Sequence, residues 1–212
     1  MNRRNALKKI GIGTGAISVS PAIVSIFQSC QNNTGKLTLI HFSNDEFSIV
    51  SKLMDLILPK TDIPGAIELK LPEFLDGYID LILPESRKKE LSEGLDKFVS
   101  IALKDSQKKK SSKLDSADLD KQLTKYLKAD VNEQKKWDDQ FNQFRNLKNK
   151  KTEIPPKAFA YNFIKELRSL SIIAFRTNEY IGEQVLAYAP IPGEQRGCVD
   201  LNEATGGKLW SL

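Results

Sequence analysis

Residues 155–175 read PPKAFAYNFIKELRSLSIIAF and carry the strongest apolar periodicity in the chain. The two prolines interrupt any preceding helix, and apolar side chains then recur every three or four residues, as they do on one face of a helix. This stretch therefore predicts a long amphipathic helix. Its apolar face comprises Phe159, Phe163, Ile164, Leu167, Leu170, Ala174 and Phe175.

The same spacing recurs upstream and predicts five further helices. The first begins at Ser43, because Ser43 followed by Glu46 forms a capping-box pattern, and Pro59 ends it. Two more begin near Pro72 and at Pro84, since proline is favoured in a first helical turn. The inward side chains predicted for these three helices are Phe47, Val50, Leu53, Met54, Ile57 and Leu58, then Phe74, Leu75, Tyr78, Ile79 and Ile82, then Leu91, Leu95, Phe98, Val99, Ala102 and Leu103.

The polar run 104–113 is predicted to be a surface loop, followed by a short helix and a weakly amphipathic one over 131–148. Their apolar side chains are Leu119, Leu123, Tyr126 and Leu127, then Trp137, Phe141 and Phe144. No sustained alternation of period two and no repeat at fixed spacing occurs. The sequence therefore predicts an all-α fold, a compact helical bundle with an irregular tail rich in proline and glycine over 188–212.

The first 30 residues have the pattern of an export signal. Arg3, Arg4 and two lysines precede a stretch, 10–35, that contains no charged residue. Residues 2–8, NRRNALK, resemble the twin-arginine consensus, and the glycines keep the following stretch only mildly apolar. An uncleaved membrane anchor and a chance arginine pair ahead of a buried helix are the alternatives. We expect export to the periplasm by the twin-arginine route.

Cys30 closes this segment in a pattern that resembles a lipoprotein box, FQSC followed by QNN. Either Cys30 becomes the lipidated first residue of the mature chain, which would associate it with a membrane, or the chain is cleaved nearby without lipid. Residues 31–42 are predicted to form a linker and residues 43–212 a single helical domain. With Cys30 modified or removed, Cys198 has no partner for an intramolecular disulfide.

The net charge of +5 depends on the export segment. Residues 1–29 hold four basic and no acidic residues, so the remainder has a net charge of +1. A lysine-rich region, 104–151, carries 14 basic and 8 acidic residues. Such a region could contact nucleic acid or anionic lipid. No interleaved aromatic residues or nucleic-acid-binding module accompany it, so a solvated helical surface is the favoured interpretation and no nucleic-acid partner is expected.

Groups able to perform catalysis are scarce. His41 is the single histidine and has no second ligand at metal-binding spacing, so we expect a surface or capping role. Cys198 lacks a companion histidine and is expected to be a buried or partner-covered thiol. Acidic pairs such as Asp45 and Glu46 diverge by about 100° on a helix and are expected to be surface charges. We predict no catalytic, cofactor-binding or metal-binding residue in this chain.

Two regions resemble the gluconate 2-dehydrogenase subunit 3 family, the small subunit of periplasmic flavoprotein dehydrogenases. The first is LILPKTDIPGA at 56–66, continued by LPEFLD at 71–76. The second is YAPIPG at 188–193, followed by GC at 197–198 and GGKLW at 206–210. These regions lie near both ends of the chain, whereas the lysine-rich middle matches no motif of the family.

The resemblance implies a non-catalytic accessory subunit of an oxidoreductase complex. FAD would belong to a large flavoprotein of the glucose-methanol-choline type that oxidises a sugar or sugar acid, and any haem to a cytochrome c subunit. This chain would supply the export signal and assist docking and maturation of the large subunit. The alternative function is a free-standing, lipid-anchored periplasmic binding or scaffold protein of the same fold.

The two motifs are also the candidate docking segments, because rigid loops lose little entropy on binding and aromatic side chains are enriched at interfaces. In the opposite interpretation the loops brace the bundle, with Trp210 packed in its core. The candidate docking residues are Lys60, Asp62, Pro64, Gly65, Tyr188, Pro192, Gly193 and Trp210.

Overall fold

The computed structural model describes residues 38–146, 155–189, 191, 193 and 197–211. Within these residues the chain forms α-helices and no β-strand, which confirms the predicted all-α class. Residues 39–212 form one compact unit. The helices are α1 (Asn44–Ile57), α2 (Leu71–Ile82), α3 (Glu85–Ser106), α4 (Ser116–Leu127), α5 (Val131–Asn146), α6 (Pro156–Arg176) and α7 (Leu201–Thr205), with a 3₁₀ turn at Ser111–Lys113 and a π-helical turn at Ile181–Val185.

Helix α6 is the centre of the bundle and contacts each of α1 to α5. Its apolar face is buried as the sequence predicts, with Ile164 fully enclosed and Phe163 and Leu167 almost so. Burying a side chain of this size is worth about 1.5–3 kcal/mol. The helix spaced most regularly in the sequence is therefore also the one against which the other helices pack.

The predicted start of α1 is confirmed in detail. The Ser43 side chain accepts the Glu46 N–H, and the Glu46 carboxylate accepts the Ser43 N–H at 2.8 Å. This capping box satisfies backbone donors that a first helical turn leaves free. Asp45, the other acidic residue of this turn, accepts a hydrogen bond from the Ser111 hydroxyl.

Two predictions about α2 are wrong. Phe74 and Ile82 were expected to point inward, but both are exposed, whereas Leu71 is buried and precedes Pro72 as the first helical residue. The reason is that α2 has more apolar side chains than one face can hold. Leu71, Leu75 and Ile79 fill the face towards the core, and Tyr78 packs partly against it as predicted. Phe74 and Ile82 lie outside.

The predicted loop at 104–113 is also partly wrong, because α3 continues to Ser106 and a 3₁₀ turn follows. Polar side chains there pair with α4. Asp105 accepts from Lys125 Nζ at 2.6 Å and from Gln122 Nε2 at 2.9 Å, and Lys108 forms ion pairs with Asp115 and with Asp118. The hydrogen bond from Lys125 lowers the pKa of Asp105, and that from Gln122 acts in the same direction. Part of the lysine-rich region therefore joins α3 to α4.

Helices α3 and α6 approach closely at Gly94. A Cβ atom at this position would lie 2.7 Å from the Phe163 Cβ and 3.2 Å from the Phe159 carbonyl oxygen. Contacts this short do not occur between real side chains, so the approach requires a residue without a side chain. Apolar spacing alone gave no sign of this requirement.

We expect Gly94→Ala to lower the free energy of unfolding by about 1–2 kcal/mol. The overpacking costs about 1–3 kcal/mol and exceeds the gain of up to about 1 kcal/mol from replacing glycine in a helix. The matched control is Gly77→Ala, in the interior of α2, where a Cβ atom meets nothing within 4 Å. The control should stabilise the chain in the same thermal or urea denaturation. A Gly94→Ala protein as stable as the control would contradict the argument.

Candidate partner-docking surface

The first motif forms a loop between α1 and α2 that closes on itself. The Ala66 N–H donates to the Leu58 carbonyl at 2.9 Å, and the Thr61 N–H donates to the Ile63 carbonyl at 3.1 Å. A Cβ atom on Gly65 would lie 2.6 Å from the Lys60 nitrogen, so only glycine fits there. Gly65 is buried, and its contacts support a bracing role within the loop.

The charged residues of this loop point to solvent. Lys60 and Asp62 are exposed and Pro64 is half-buried. Lys60 Nζ lies 3.4 Å from the Glu68 carboxylate, which also accepts the Gly65 N–H at 3.1 Å. The backbone N–H of Glu68 itself lowers the pKa of this carboxyl, and Lys60 and the Gly65 N–H act in the same direction. The loop thus pairs Lys60 with Glu68 at its edge.

The second motif is held to the bundle by an isolated bridge between Ala187 and Trp210. The Ala187 N–H donates to the Leu209 carbonyl at 2.9 Å, and the Ser211 N–H donates to the Ala187 carbonyl at 2.8 Å. Tyr188 and Trp210 are each 50% exposed, so the Trp210 ring does not lie in the core. The backbone at this point braces the tail, while the two aromatic rings remain half available to solvent.

Other parts of the tail are only partly described. Gly193 is exposed, with a left-handed φ of 73° that favours glycine, and Pro192 lies outside the described residues. Helix α7 interrupts the stretch expected to be irregular, because the Asp200 carboxylate accepts the N–H groups of Asn202 and Glu203 and so caps it.

The segment 178–184, which includes most of the π-helical turn, links the two motifs. A groove of 390 Å³ lies between this segment and residues 68–70, which follow the first motif. A second groove, of 240 Å³, shares Asn178, Glu179 and Glu183 with the first and extends to Tyr188 and Ser211. Residues 68–70, which connect the two parts of the first motif, and Tyr188 of the second therefore border the same segment. We call residues 68–70 and 178–184, Tyr188, and Trp210, which is bridged to Ala187, the docking surface. The predicted docking residues Lys60, Asp62, Pro64 and Gly65 line neither groove.

Local backbone conformation shapes this surface. The Leu186 N–H donates to the Ile181 carbonyl at 2.9 Å, five residues back, which is the π-helical pattern. Turns of this kind are frequent at functional sites. Lys70 adopts a left-handed φ of 53°, which is uncommon for a residue with a side chain. Sequence analysis missed the segment 178–184 because it has no apolar periodicity, proline or glycine cluster.

A second feature missed from the sequence is the buried carboxylate of Asp76. It accepts the backbone N–H groups of Ile40 at 2.7 Å, His41 at 3.1 Å and Phe42 at 2.8 Å. A buried carboxylate is tolerated when hydrogen bonds replace its water. Asp76 on α2 thereby fixes the chain just before α1. His41 is held through its backbone, and its ring packs edge-on against that of Phe42 with the ring centroids 4.9 Å apart.

We expect Asp76→Asn to lower the free energy of unfolding by about 2 kcal/mol. One end of the amide presents N–H groups to backbone donors, which leaves buried donors unsatisfied. The matched control is Asp80→Asn on the same helix, where the carboxylate meets Lys88 Nζ at 3.4 Å near the surface. This control should cost less than about 1 kcal/mol.

Urea denaturation measures both Asp76→Asn and Asp80→Asn, and hydrogen exchange adds a local readout. The amides of residues 40–42 should exchange faster in Asp76→Asn but not in Asp80→Asn. Equal exchange of these amides in the two variants would show that the carboxylate does not hold the segment.

Reactive groups do not gather at any of these features. Cys198 is a free, exposed thiol with a φ of 54°, so the expectation of a buried thiol is wrong for this chain by itself. Among the described residues no group of three or more histidine, cysteine, aspartate or glutamate side chains could hold a metal ion. No described helix is long and apolar enough to cross a membrane. Arg3, Arg4 and Cys30 lie outside the described residues.

The fold and this surface define a class of protein: an all-α bundle that presents two closed loops, with half-exposed aromatic rings, around one π-helical turn. The model of the family described as gluconate 2-dehydrogenase subunit 3 matches residues 44–193, and the chain belongs to that family. Members of this family are accessory subunits of a multi-subunit dehydrogenase complex. Neither the curated proteins nor the solved structures contain a significant match.

Proposed function

We propose that this chain is the non-catalytic small subunit of a periplasmic sugar or sugar-acid dehydrogenase. It binds a large FAD-dependent flavoprotein of the glucose-methanol-choline type through the docking surface and assists export and maturation of that partner. The observation that carries this proposal is that residues 68–70, which connect the two parts of the first family motif, and Tyr188 of the second motif lie around the same segment, 178–184. Because the substrate would bind on the other polypeptide, this chain needs no catalytic residues.

The docking surface has the physical properties of a preformed interface. Residues 68–70 are held by hydrogen bonds from the Leu69 and Lys70 N–H groups to the Gly65 and Ile67 carbonyls, and the tail is held by the Ala187–Trp210 bridge, so binding would cost little ordering entropy. Tyr188 and Trp210 offer rings of the kind that are enriched at the buried centre of interfaces. Three glutamates line the two grooves against two basic residues, which favours a partner surface with basic side chains at its rim. They are Glu68, Glu179 and Glu183 against Lys70 and Arg176.

Division of labour between the subunits follows from this arrangement. FAD belongs to the large subunit and any haem to a cytochrome c subunit, while this chain supplies the contact surface and the export signal. The purified mature chain should therefore show neither bound flavin nor dehydrogenase activity by absorbance and dye reduction. Activity of this chain by itself would contradict the proposal. The same result would also exclude the scaffold alternative.

We expect Trp210→Ala to weaken the complex at least tenfold with a change in melting temperature of at most about 2 °C. The ring is half-exposed and is attached through backbone bonds that alanine keeps, so little core packing is lost. Affinity for the co-expressed flavoprotein is measured by biolayer interferometry, and stability by calorimetry of the chain by itself.

The second tryptophan provides the matched control. Trp137 is buried, with ring centroids 5.5 Å from Tyr126 and 5.2 Å from Tyr161. Trp137→Ala should cost about 3–5 kcal/mol of stability. A similar loss of stability in Trp210→Ala would support bracing rather than docking.

The export half of the proposal predicts that the flavoprotein depends on Arg3 and Arg4 of this chain. Replacing both by lysine should retain this chain and its flavoprotein in the cytoplasm, because a folded partner without its own signal crosses with the signal of the small subunit. Immunoblots of periplasmic and cytoplasmic fractions provide the measurement. Normal export of the flavoprotein in the Arg3→Lys, Arg4→Lys strain would remove this half and leave docking intact.

A lipid on Cys30 is the remaining element of the proposal. It would place the complex at a membrane surface, although a single acyl chain gives only reversible attachment. The mass of the mature protein distinguishes lipidation at Cys30 from ordinary cleavage near it.

A further inference from the structure

Helix α2 carries a second apolar stripe that faces solvent. Phe74, Leu81 and Ile82 are 50%, 74% and 63% exposed. Tyr78 stacks on Phe74 with ring centroids 5.9 Å apart. Positions separated by four, seven and eight residues share one side of a helix, so these four side chains form a continuous stripe.

Apart from Tyr78, which is partly buried against the core, the fold does not use this stripe. The face of α2 towards the core is supplied by Leu71, Leu75 and Ile79, all almost completely buried. A helix that packs on one side of a bundle normally has polar residues on its other side. The outer apolar residues of α2 therefore contribute little to the stability of the isolated chain.

Gly77 lies on the same side as this stripe, in the interior of α2. A Cβ atom there would meet nothing within 4 Å, in contrast to Gly94, where the neighbouring helix excludes a side chain. Glycine in a helix interior is less stable than alanine. No neighbour within the described chain requires its small size, and the bare backbone allows another molecule to approach closely.

The stripe continues from the docking surface. Lys70, which lines the 390 Å³ groove, lies one helical turn before Phe74. The family to which the chain belongs is a subunit of a larger complex, so a second polypeptide is available to cover both areas. Glu73 and Asp80 flank the stripe, and Lys88 lies 3.4 Å from Asp80.

We infer that the outer face of α2 is a second contact for the large flavoprotein, which packs an apolar helix across Gly77 and against Phe74, Tyr78 and Leu81. The inference rests on the proposed function and deepens it, because it assigns the chemistry of the partner surface. That surface is apolar and comes within backbone contact distance of α2. Small interfacial residues permit such close packing of two helices, and a methyl group at position 77 interferes with it.

The test uses the mature chain and its co-expressed flavoprotein. Gly77→Ala should raise the melting temperature of the chain by itself by about 2 °C, since alanine is the better helix former, and weaken the complex at least tenfold. Because the variant is at least as stable as the parent, loss of folding cannot explain weaker binding. Leu81→Gln should weaken the complex to a similar extent with an unchanged melting temperature.

The control is Val131→Gln, which changes a side chain of similar exposure, 75%, at the start of α5. Its affinity for the flavoprotein should equal that of the parent. If Gly77→Ala and Leu81→Gln also bind like the parent while Trp210→Ala binds weakly, the contact through α2 is overturned and the proposed function stands. A parent chain that binds no flavoprotein overturns the proposed function, and the contact through α2 with it.

Sedimentation of the chain by itself tests a second copy as the occupant. We expect a monomer. A dimer that dissociates on Gly77→Ala would show that α2 is covered by another copy of this chain, and would overturn the inference.

Discussion

The structure depends on the burial of one face of α6. This helix contacts each of the five preceding helices, and its apolar side chains supply the surface that the others cover. The contact with α3 is the most extensive of these, and Gly94 allows the two helices to approach closely where they cross. Since the bundle has a single central helix, a disturbance along α6 reaches all of its neighbours. The positions of the loops then follow from where the helices packed around α6 end.

Two local features position the family motifs on this bundle. Gly65 allows the loop between α1 and α2 to fold back onto Leu58–Lys60, and the bridge at Ala187 holds the end of the chain. Beside them, the π-helical turn brings the segment 178–184 close to residues 68–70 and to Tyr188. The result is a surface assembled from distant parts of the sequence, whose rigidity comes from backbone hydrogen bonds and not from a large apolar core of its own.

Sequence analysis predicted the helices well where apolar side chains alternate with polar ones at helical spacing, as in α6 and α1. It failed on α2, because Phe74 and Ile82 have the same apolar character as Leu75 and Ile79, and periodicity cannot tell which of two apolar faces meets the core. It also missed Asp76. An aspartate on a helix is usually a surface charge, and its burial depends on three N–H groups supplied by residues more than 30 positions earlier. The motifs were visible in the sequence, but the position of residues 68–70 and Tyr188 around 178–184 was not, since that proximity is created by tertiary packing.

The hydrogen bonds of Asp76 also limit the distance between the helical bundle and Cys30. They attach Ile40 to α2, and ten peptide units separate Ile40 from Cys30. A fully extended chain of this length spans at most about 35 Å. A lipid on Cys30, as proposed above, would therefore keep the bundle within one protein diameter of the membrane surface.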